Sequence, residues 1–145
     1  MDPLKNNKRI TVKTLVNEHV EKVWECWTKP EHITKWNQAS DDWQTTFAEN
    51  DLTAGGEFLY RMEAMDKREG FDFTGMYTEV KPLQSIAYTL DDGRKVTVAF
   101  ESINEQTTIT ETFETENTYP VEQQKEGWQS ILDHFKKYTE GISQP

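Results

Sequence analysis

Cysteine, positive charge and long apolar runs are all scarce in this sequence. Its single cysteine, Cys26, excludes an intrachain disulfide and favours a reducing compartment. Lysine and arginine number 16 against 26 aspartates and glutamates, which gives a net charge of −10. Nucleic acids and anionic membranes both select basic surfaces, so we expect no nucleic acid as a partner. No apolar run approaches the ~20 residues of a membrane span, so we expect no membrane insertion and a soluble, cytoplasmic protein.

The length suits one domain. A chain of 145 residues falls within the roughly 100–200 residues of a typical domain, so we expect a single domain over residues 1–145. A chain of this size buries about two-thirds of its unfolded surface and needs no metal or disulfide to fold. Residues 1–8 are mainly polar, and we expect them to form a disordered tail.

One strand and two short helices are predicted at the start of the chain. Apolar and polar side chains alternate over residues 9–16, as in a half-buried strand. Apolar residues at helical spacing from Val20 to Trp27 predict the first helix, with Asn17 as its N-cap. Thr28 and Glu31 have the spacing of a capping box, which predicts a second helix directly afterwards.

The middle of the chain has the period of two that is typical of strands. The predicted strands cover residues 43–49, 56–65, 71–80, 84–90, 94–103 and 106–115. Short turns such as Asp92-Gly93 separate them. Parallel strands would need crossovers of a dozen residues or more, so these strands form an antiparallel meander.

A long amphipathic helix is predicted to end the chain, from about Val121 to Gly141. Together with the first strand, the sheet has seven strands and one helix to cover its inner face. This pattern predicts an α+β helix-grip fold: a curved seven-stranded antiparallel sheet wrapped on the C-terminal helix, with two short helices between strands 1 and 2. Such an arrangement commonly leaves a cavity between sheet and helix.

Strand parity and the stripe of the last helix identify the candidate cavity-lining residues. The apolar side of each strand faces the helix, and aromatic residues on that side suit an apolar ligand. The candidates are Trp36, Tyr60, Phe73, Tyr88, Phe100, Glu111, Trp128 and Leu132. The alternative for each aromatic or aliphatic candidate is a place in the packed core.

Glu111 has an unusual position among them. Ile109, Glu111 and Phe113 alternate with threonines, so Glu111 faces inward if its two apolar neighbours do. A buried carboxyl group is costly unless it is paired or neutral, and burial raises its pKa. It would then be a polar anchor or a general acid–base. In the alternative arrangement the threonines face inward and Glu111 meets water.

Motifs for a metal or a cofactor are absent from the sequence. The histidines at 19, 32 and 134 and Cys26 lack the spacing of metal ligands. Gly55-Gly56 is not a phosphate loop, because no Lys-Ser/Thr follows it and it does not open a helix. We therefore expect no metal and no cofactor, and we assign no catalytic residue.

Four motifs resemble one known family. They are residues 23–36 (VWECWTKPEHITKW), 55–58 (GGEF), 75–82 (GMYTEVKP) and 126–128 (EGW). Their order is similar to that of the family named for the C-terminal domain of the activator of the heat-shock-protein-90 ATPase, from about residue 9 to 140. The resemblance implies the START and pollen-allergen-like helix-grip superfamily (SRPBCC), whose members often hold an apolar ligand. It also implies a link to chaperones and the stress response, and no shared catalytic residues.

Three functions remain open on these observations. The first is a module that binds a hydrophobic small molecule or lipid in an apolar cavity, which the aromatic residues favour. The second is a protein-interaction domain that regulates a chaperone or binds a client protein, as the resemblance implies. It predicts a filled core and an apolar outer patch. The third is an enzyme of the cyclase or hydratase type that uses Glu111 with a tyrosine as acid and base.

Overall fold

The periodicity of the sequence produces strands and helices close to the expected bounds. Within residues 8–142, which the computed structural model describes, the chain forms seven strands and three helices. The strands are β1 (Arg9–Val16), β2 (Trp43–Asn50), β3 (Glu57–Ala64), β4 (Gly70–Lys81), β5 (Ser85–Leu90), β6 (Lys95–Ile103) and β7 (Gln106–Glu114). The helices are α1 (Val20–Thr28), α2 (Pro30–Trp36) and α3 (Val121–Gly141).

The strands form one antiparallel sheet in the order β1-β7-β6-β5-β4-β3-β2. Short turns join consecutive strands from β2 to β7, and β1 adds to the free edge of β7. The edges are therefore β1 and β2, and α1 and α2 lie between them in the chain. The sheet curls as a half-barrel, and the predicted α+β helix-grip fold is confirmed.

Helix α3 supplies the centre of the core. Leu132 and Phe135 on its apolar stripe are fully buried. The ring of Phe135 meets the rings of Trp27 and Trp36 edge-to-face, with centroids 4.8 and 4.9 Å apart. Such pairs add to the burial of large apolar area. The packing of α3 against α1 and α2 therefore depends on these three rings.

Two β-bulges and one glycine shape the inner face of the sheet. The register shifts between Thr45 and Phe47 on β2, and between Tyr77 and Glu79 on β4. Bulges bend a strand and increase its twist, which suits a curled sheet. Gly75 lies opposite Phe58, and a Cβ there would come within 2.7 Å of the Phe58 ring. The missing side chain thus leaves room for this ring.

The predicted helix caps are wrong. His19, not Asn17, is the N-cap of α1, and Lys29, not Thr28, is the N-cap of α2; neither makes a side-chain cap bond. Lys29 is extended (ψ 129°) because it precedes a proline, which disfavours the helical conformation. Thr28 therefore closes α1, where its hydroxyl donates to the carbonyl oxygen of Trp24 at 2.8 Å.

The predicted disordered tail at residues 1–8 falls outside the described residues except for Lys8. Lys8 is paired with Thr115: its N–H donates to Oγ1 at 3.0 Å, and its carbonyl accepts the Thr115 N–H at 2.8 Å. The expectation for Lys8 is thus corrected, since β1 and β7 continue their pairing to this residue. No helix between residues 8 and 142 is long and apolar enough to cross a membrane.

Replacing Leu132 with Ala should destabilise the fold by about 2–5 kcal/mol, because Leu132 is fully exposed in the unfolded chain and fully buried in the core. Chemical unfolding of the variant measures this change. Lys137→Ala is the control on the exposed side of the same helix and should stay within about 0.5 kcal/mol. A Leu132→Ala value as small as the control would contradict the core position of α3.

Candidate functional site

A cavity of about 400 Å³ lies between the inner face of the sheet and α3. Aromatic side chains dominate its lining, and eleven of them contribute. The polar residues that line it are Asn37, Arg94, Glu111, Gln123 and Gln124, besides the tyrosine hydroxyls. This volume falls within the range of small-molecule sites, which are mainly apolar with a few polar groups.

Three aromatic residues form what we call the mouth of the cavity: Trp43, Phe71 and Tyr119. Phe71 is 47% exposed and Tyr119 is 57% exposed, although both line the cavity. Trp43 and Phe71 pack edge-to-face with centroids 5.8 Å apart. The cavity thus reaches solvent beside large apolar rings, which suits the passage of an apolar molecule.

Six of the eight candidate residues come together around this cavity. They are Trp36, Tyr60, Phe73, Tyr88, Glu111 and Trp128. Phe100 and Leu132 do not line it, and their assignment as lining residues is corrected. Phe100 packs edge-to-face on Trp24 and Trp27, with centroids 5.4 and 5.8 Å away. Leu132 is fully buried in the close-packed core, while Trp128 and Ile131 on the same helix line the cavity.

Glu111 lies on the inner face of β7, between Val98 of β6 and Val12 of β1. It is 5% exposed, and its neighbours along the strand, Ile109 and Phe113, are fully buried. Among the described residues, none forms a hydrogen bond or an ion pair with its carboxyl group. Burial raises the pKa of Glu111 from 4.5 to about 8. The carboxyl group is therefore largely protonated at neutral pH.

Three tyrosines bring hydroxyl groups to the same cavity. Tyr77 donates its hydroxyl hydrogen to Oδ1 of Asn50 at 2.5 Å. Asn50 in turn donates to the Thr28 carbonyl at 2.7 Å, which ties the end of α1 to the cavity wall. Burial raises the pKa of Tyr77 to about 12 and raises the pKa values of Tyr60 and Tyr88 well above their usual value. All three therefore stay neutral and can donate or accept hydrogen bonds.

Two of the four tryptophans in the lining, Trp36 and Trp128, are held in fixed orientations. The indole N–H of Trp36 donates to the carbonyl oxygen of Cys26 at 2.9 Å, across the junction of α1 and α2. Trp128 stacks on Phe113, with centroids 4.3 Å apart and planes 7° apart. Each ring thus has a structural partner on one side and the cavity on the other. For these residues, core packing and cavity lining are compatible roles.

Arg94 brings a positive charge to the lining. It follows the turn between β5 and β6, and its side chain is 18% exposed. Its Nε donates to Oδ2 of Asp92 at 2.8 Å, so a neighbouring carboxylate already balances its charge. Arg94 was not among the sequence candidates, because a basic residue beside a turn usually lies on a solvated surface.

Gln124 is a second residue that sequence reasoning missed. Its amide nitrogen donates to the carbonyl oxygens of Glu116 and Tyr119, at 3.0 and 2.8 Å. Its amide oxygen accepts the N–H of Glu116 at 2.9 Å. The side chain therefore fixes the loop between β7 and α3 that carries Tyr119 to the mouth. The sequence places Gln124 near the start of the last helix, but it does not show that the side chain is buried against this loop.

Between residues 8 and 142, no three His, Cys, Asp or Glu side chains are grouped so that they could hold a metal ion. Cys26 is buried, and burial raises the pKa of its thiol, which disfavours the reactive thiolate.

The family can be identified once this geometry is known. The model of the family described as "Activator of Hsp90 ATPase homolog 1-like protein" (AHSA1) matches residues 17–140. The chain belongs to the AHSA1 family. This match confirms the resemblance carried by the tryptophan-rich and glycine-containing motifs. No curated protein matches the sequence.

Solved structures of similar proteins share the fold of this AHSA1 family member. An AHSA1-like protein from Aeromonas hydrophila is 39% identical, with 95% of this chain and 99% of that chain covered and a TM-score of 0.86. A Cytophaga hutchinsonii protein is 48% identical over 91% of this chain and 92% of that chain, with a TM-score of 0.80. A Chromobacterium violaceum protein, 21% identical over 93% of this chain and 99% of that chain, shares the fold with a TM-score of 0.83.

Replacing Glu111 with Gln should remove a pH-dependent destabilisation. The folded-state pKa of about 8 exceeds the ordinary value of 4.5, so the unfolded chain loses its proton first as the pH rises. The stability of the wild type should therefore fall relative to the variant by roughly 1.4 kcal/mol per pH unit between these two values, and no further above them.

Urea unfolding of both proteins at pH 5, 6, 7 and 8 measures this difference. Glu101→Gln is the matched control on the exposed side of β6, and its difference from the wild type should not change appreciably with pH. A constant difference between wild type and Glu111→Gln over the whole range would show that Glu111 titrates normally.

Proposed function

We propose that the protein binds an apolar small molecule in the cavity between the sheet and α3. The observation that carries this proposal is the 400 Å³ space itself, which eleven aromatic residues line and which opens beside exposed rings. Burial of a ligand's hydrocarbon surface against these rings supplies the affinity. The tyrosine hydroxyls and Glu111 supply the few polar contacts that orient it.

The same cavity argues against the protein-interaction alternative. A domain that acts only through its outer surface needs a filled core and a continuous apolar patch. Here the interior has room for a ligand. Apart from the rings of the mouth, the exposed large apolar residues lie on different elements, as Leu15 on β1, Phe47 on β2 and Ile103 on β6 illustrate. Scattered apolar residues are normal on a protein surface.

One observation favours a second candidate, an enzyme of the cyclase or hydratase type. The pKa of Glu111, about 8, lies near neutral pH, as a general acid or base requires. Tyr60 and Tyr88 line the same cavity and are neutral proton donors. In this candidate Glu111 would donate a proton to a bound alkene or carbonyl group, and a tyrosine would orient the substrate.

Gly127 offers a way to close the cavity without disturbing the fold. It lies on α3 in the cavity lining, and a Cβ there would meet nothing within 4 Å. Gly127→Leu should place a side chain in the cavity and weaken binding of the neutral fluorescent probe N-phenyl-1-naphthylamine at least tenfold. Stability should be unchanged or higher by up to about 1 kcal/mol, because a helix-interior glycine is replaced.

The control for this experiment is Gly141→Leu, at the exposed end of α3 and also in open space. It should bind the probe as the wild type does. Absence of probe binding by the wild type, or equal binding by Gly127→Leu, would refute the cavity as the binding site.

Native mass spectrometry distinguishes the binding module from the enzyme. Wild type and Glu111→Gln are produced in the cytoplasm of the protein's own host. The single buried cysteine favours this reducing compartment. We expect any small molecule that Glu111→Gln carries to have the same mass as the one on the wild type, because a binding module does not convert its ligand. A ligand that differs between them by the mass of water would favour a hydratase.

A further inference from the structure

Glu111 carries a carboxyl group that the packing of the fold does not use. It is 5% exposed, between two fully buried neighbours, and it lines the cavity. Among the described residues no partner donates to it. An apolar ligand without a polar group would leave this buried carboxyl without a hydrogen-bond partner. A ligand that suits the cavity therefore has a group that interacts with Glu111.

The side chains around Glu111 indicate which chemical group of a ligand would interact with it. Phe58, Tyr60, Phe73, Tyr88 and Trp128 all line the same cavity. The faces of aromatic rings are negative and attract cations, most strongly where water is excluded. A carboxylate and several ring faces thus favour the same charge. The net charge of −10 also raises the local concentration of cations around the protein.

Other charged and titratable groups in the lining do not oppose a cation. Arg94 is balanced by Asp92 at 2.8 Å. Tyr60, Tyr77 and Tyr88 are neutral because burial raises their pKa values. The lining residues at the end of α2 and on α3 are uncharged amides, glycine or apolar side chains, and the neighbouring strands place Val12 and Val98 beside Glu111.

Resting on the proposed function, we propose that the cavity takes a protonated amine with an apolar, ring-containing body, whose ammonium group pairs with the Glu111 carboxylate. The body of such a ligand lies in the cavity against Phe58, Phe73 and Trp128. Its ammonium group donates hydrogen bonds to the carboxylate and lies against ring faces. An ammonium ion also provides the partner that the fold does not give to Glu111.

This pairing has a definite pH dependence. In the free cavity Glu111 is protonated below about pH 8, so binding of an ammonium ion releases that proton. The affinity for an amine should rise up to tenfold per pH unit towards pH 8, and then level off until the amine itself loses its proton near pH 10. A neutral ligand that accepts a hydrogen bond from the protonated carboxyl would show the opposite trend.

Three ligands with one apolar body test the proposal: 2-(1-naphthyl)ethylamine, 2-(1-naphthyl)ethanol and 1-naphthylacetate. Titration calorimetry at pH 6, 7 and 8 measures their affinities. We expect the amine to bind at least tenfold more tightly than the alcohol at pH 8, and more tightly there than at pH 6. Glu111→Gln should reduce amine binding to the level of the alcohol and leave the alcohol within threefold. Glu101→Gln, on the exposed side of β6, should change neither.

The outcomes separate the two proposals. Tighter binding of the alcohol or the acid, or amine binding that Glu111→Gln does not weaken, would overturn the amine proposal and leave the binding module. Amine affinity of the wild type that falls between pH 6 and pH 8 would overturn it without any variant. If none of the three binds while N-phenyl-1-naphthylamine does, the amine proposal alone fails. If that probe also does not bind, both proposals fail.

Discussion

The structure depends on one geometric constraint: a single helix must cover the inner face of seven strands. A helix is about 10 Å wide, whereas seven strands spaced by about 4.8 Å span roughly 29 Å when flat. The sheet therefore has to curl, and the two bulges on β2 and β4 support that curvature. Even so, the inner face carries more aromatic side chains than α3 can contact. The cavity lies between α3 and the part of that face which α3 does not contact.

The same constraint gives α1 and α2 their role. They connect the two edge strands, and their tryptophans close one part of the space beside α3. The N–H of Trp36 is bonded across the junction of these helices to the carbonyl of Cys26. Asn50 joins the end of α1 to Tyr77 of β4. Polar bonds thus fix the cavity wall where apolar packing alone would leave the ring orientations free.

Much of the fold could be predicted because its signals are periodic and local. Alternation along the strands and the stripe on α3 depend only on neighbouring residues, so the bounds of these elements follow from the pattern. The helix caps could not be predicted in this way, because the Thr28 hydroxyl can either cap α2 or bond to a carbonyl of α1. The proline after Lys29 decides between the two. Capping is a matter of backbone geometry at single residues, which periodicity does not describe.

For the site, parity predicts which face a side chain joins but not what covers that part of the face. For Glu111 and Tyr88, knowing the face was enough to predict that they line the cavity, because the cavity lies over β5 and β7. Phe100 has the same parity on β6, but α1 covers it with Trp24 and Trp27. Gln124 bonds to the loop just before its own helix, and Arg94 lies beside a turn; the periodicity of strands and helices describes neither position.

Glu111 destabilises the fold but supplies a polar group to the candidate binding cavity. An apolar residue between Ile109 and Phe113 would match the rest of the inner face and would avoid the burial of an unpartnered carboxyl group. In natural sequences most residues suit the environment in which the fold places them, and residues that do not are concentrated at functional sites. Its cross-strand neighbours Val12 and Val98 and the rings around it follow the apolar pattern. The chemistry of the cavity therefore depends on what Glu111 meets when the cavity is filled.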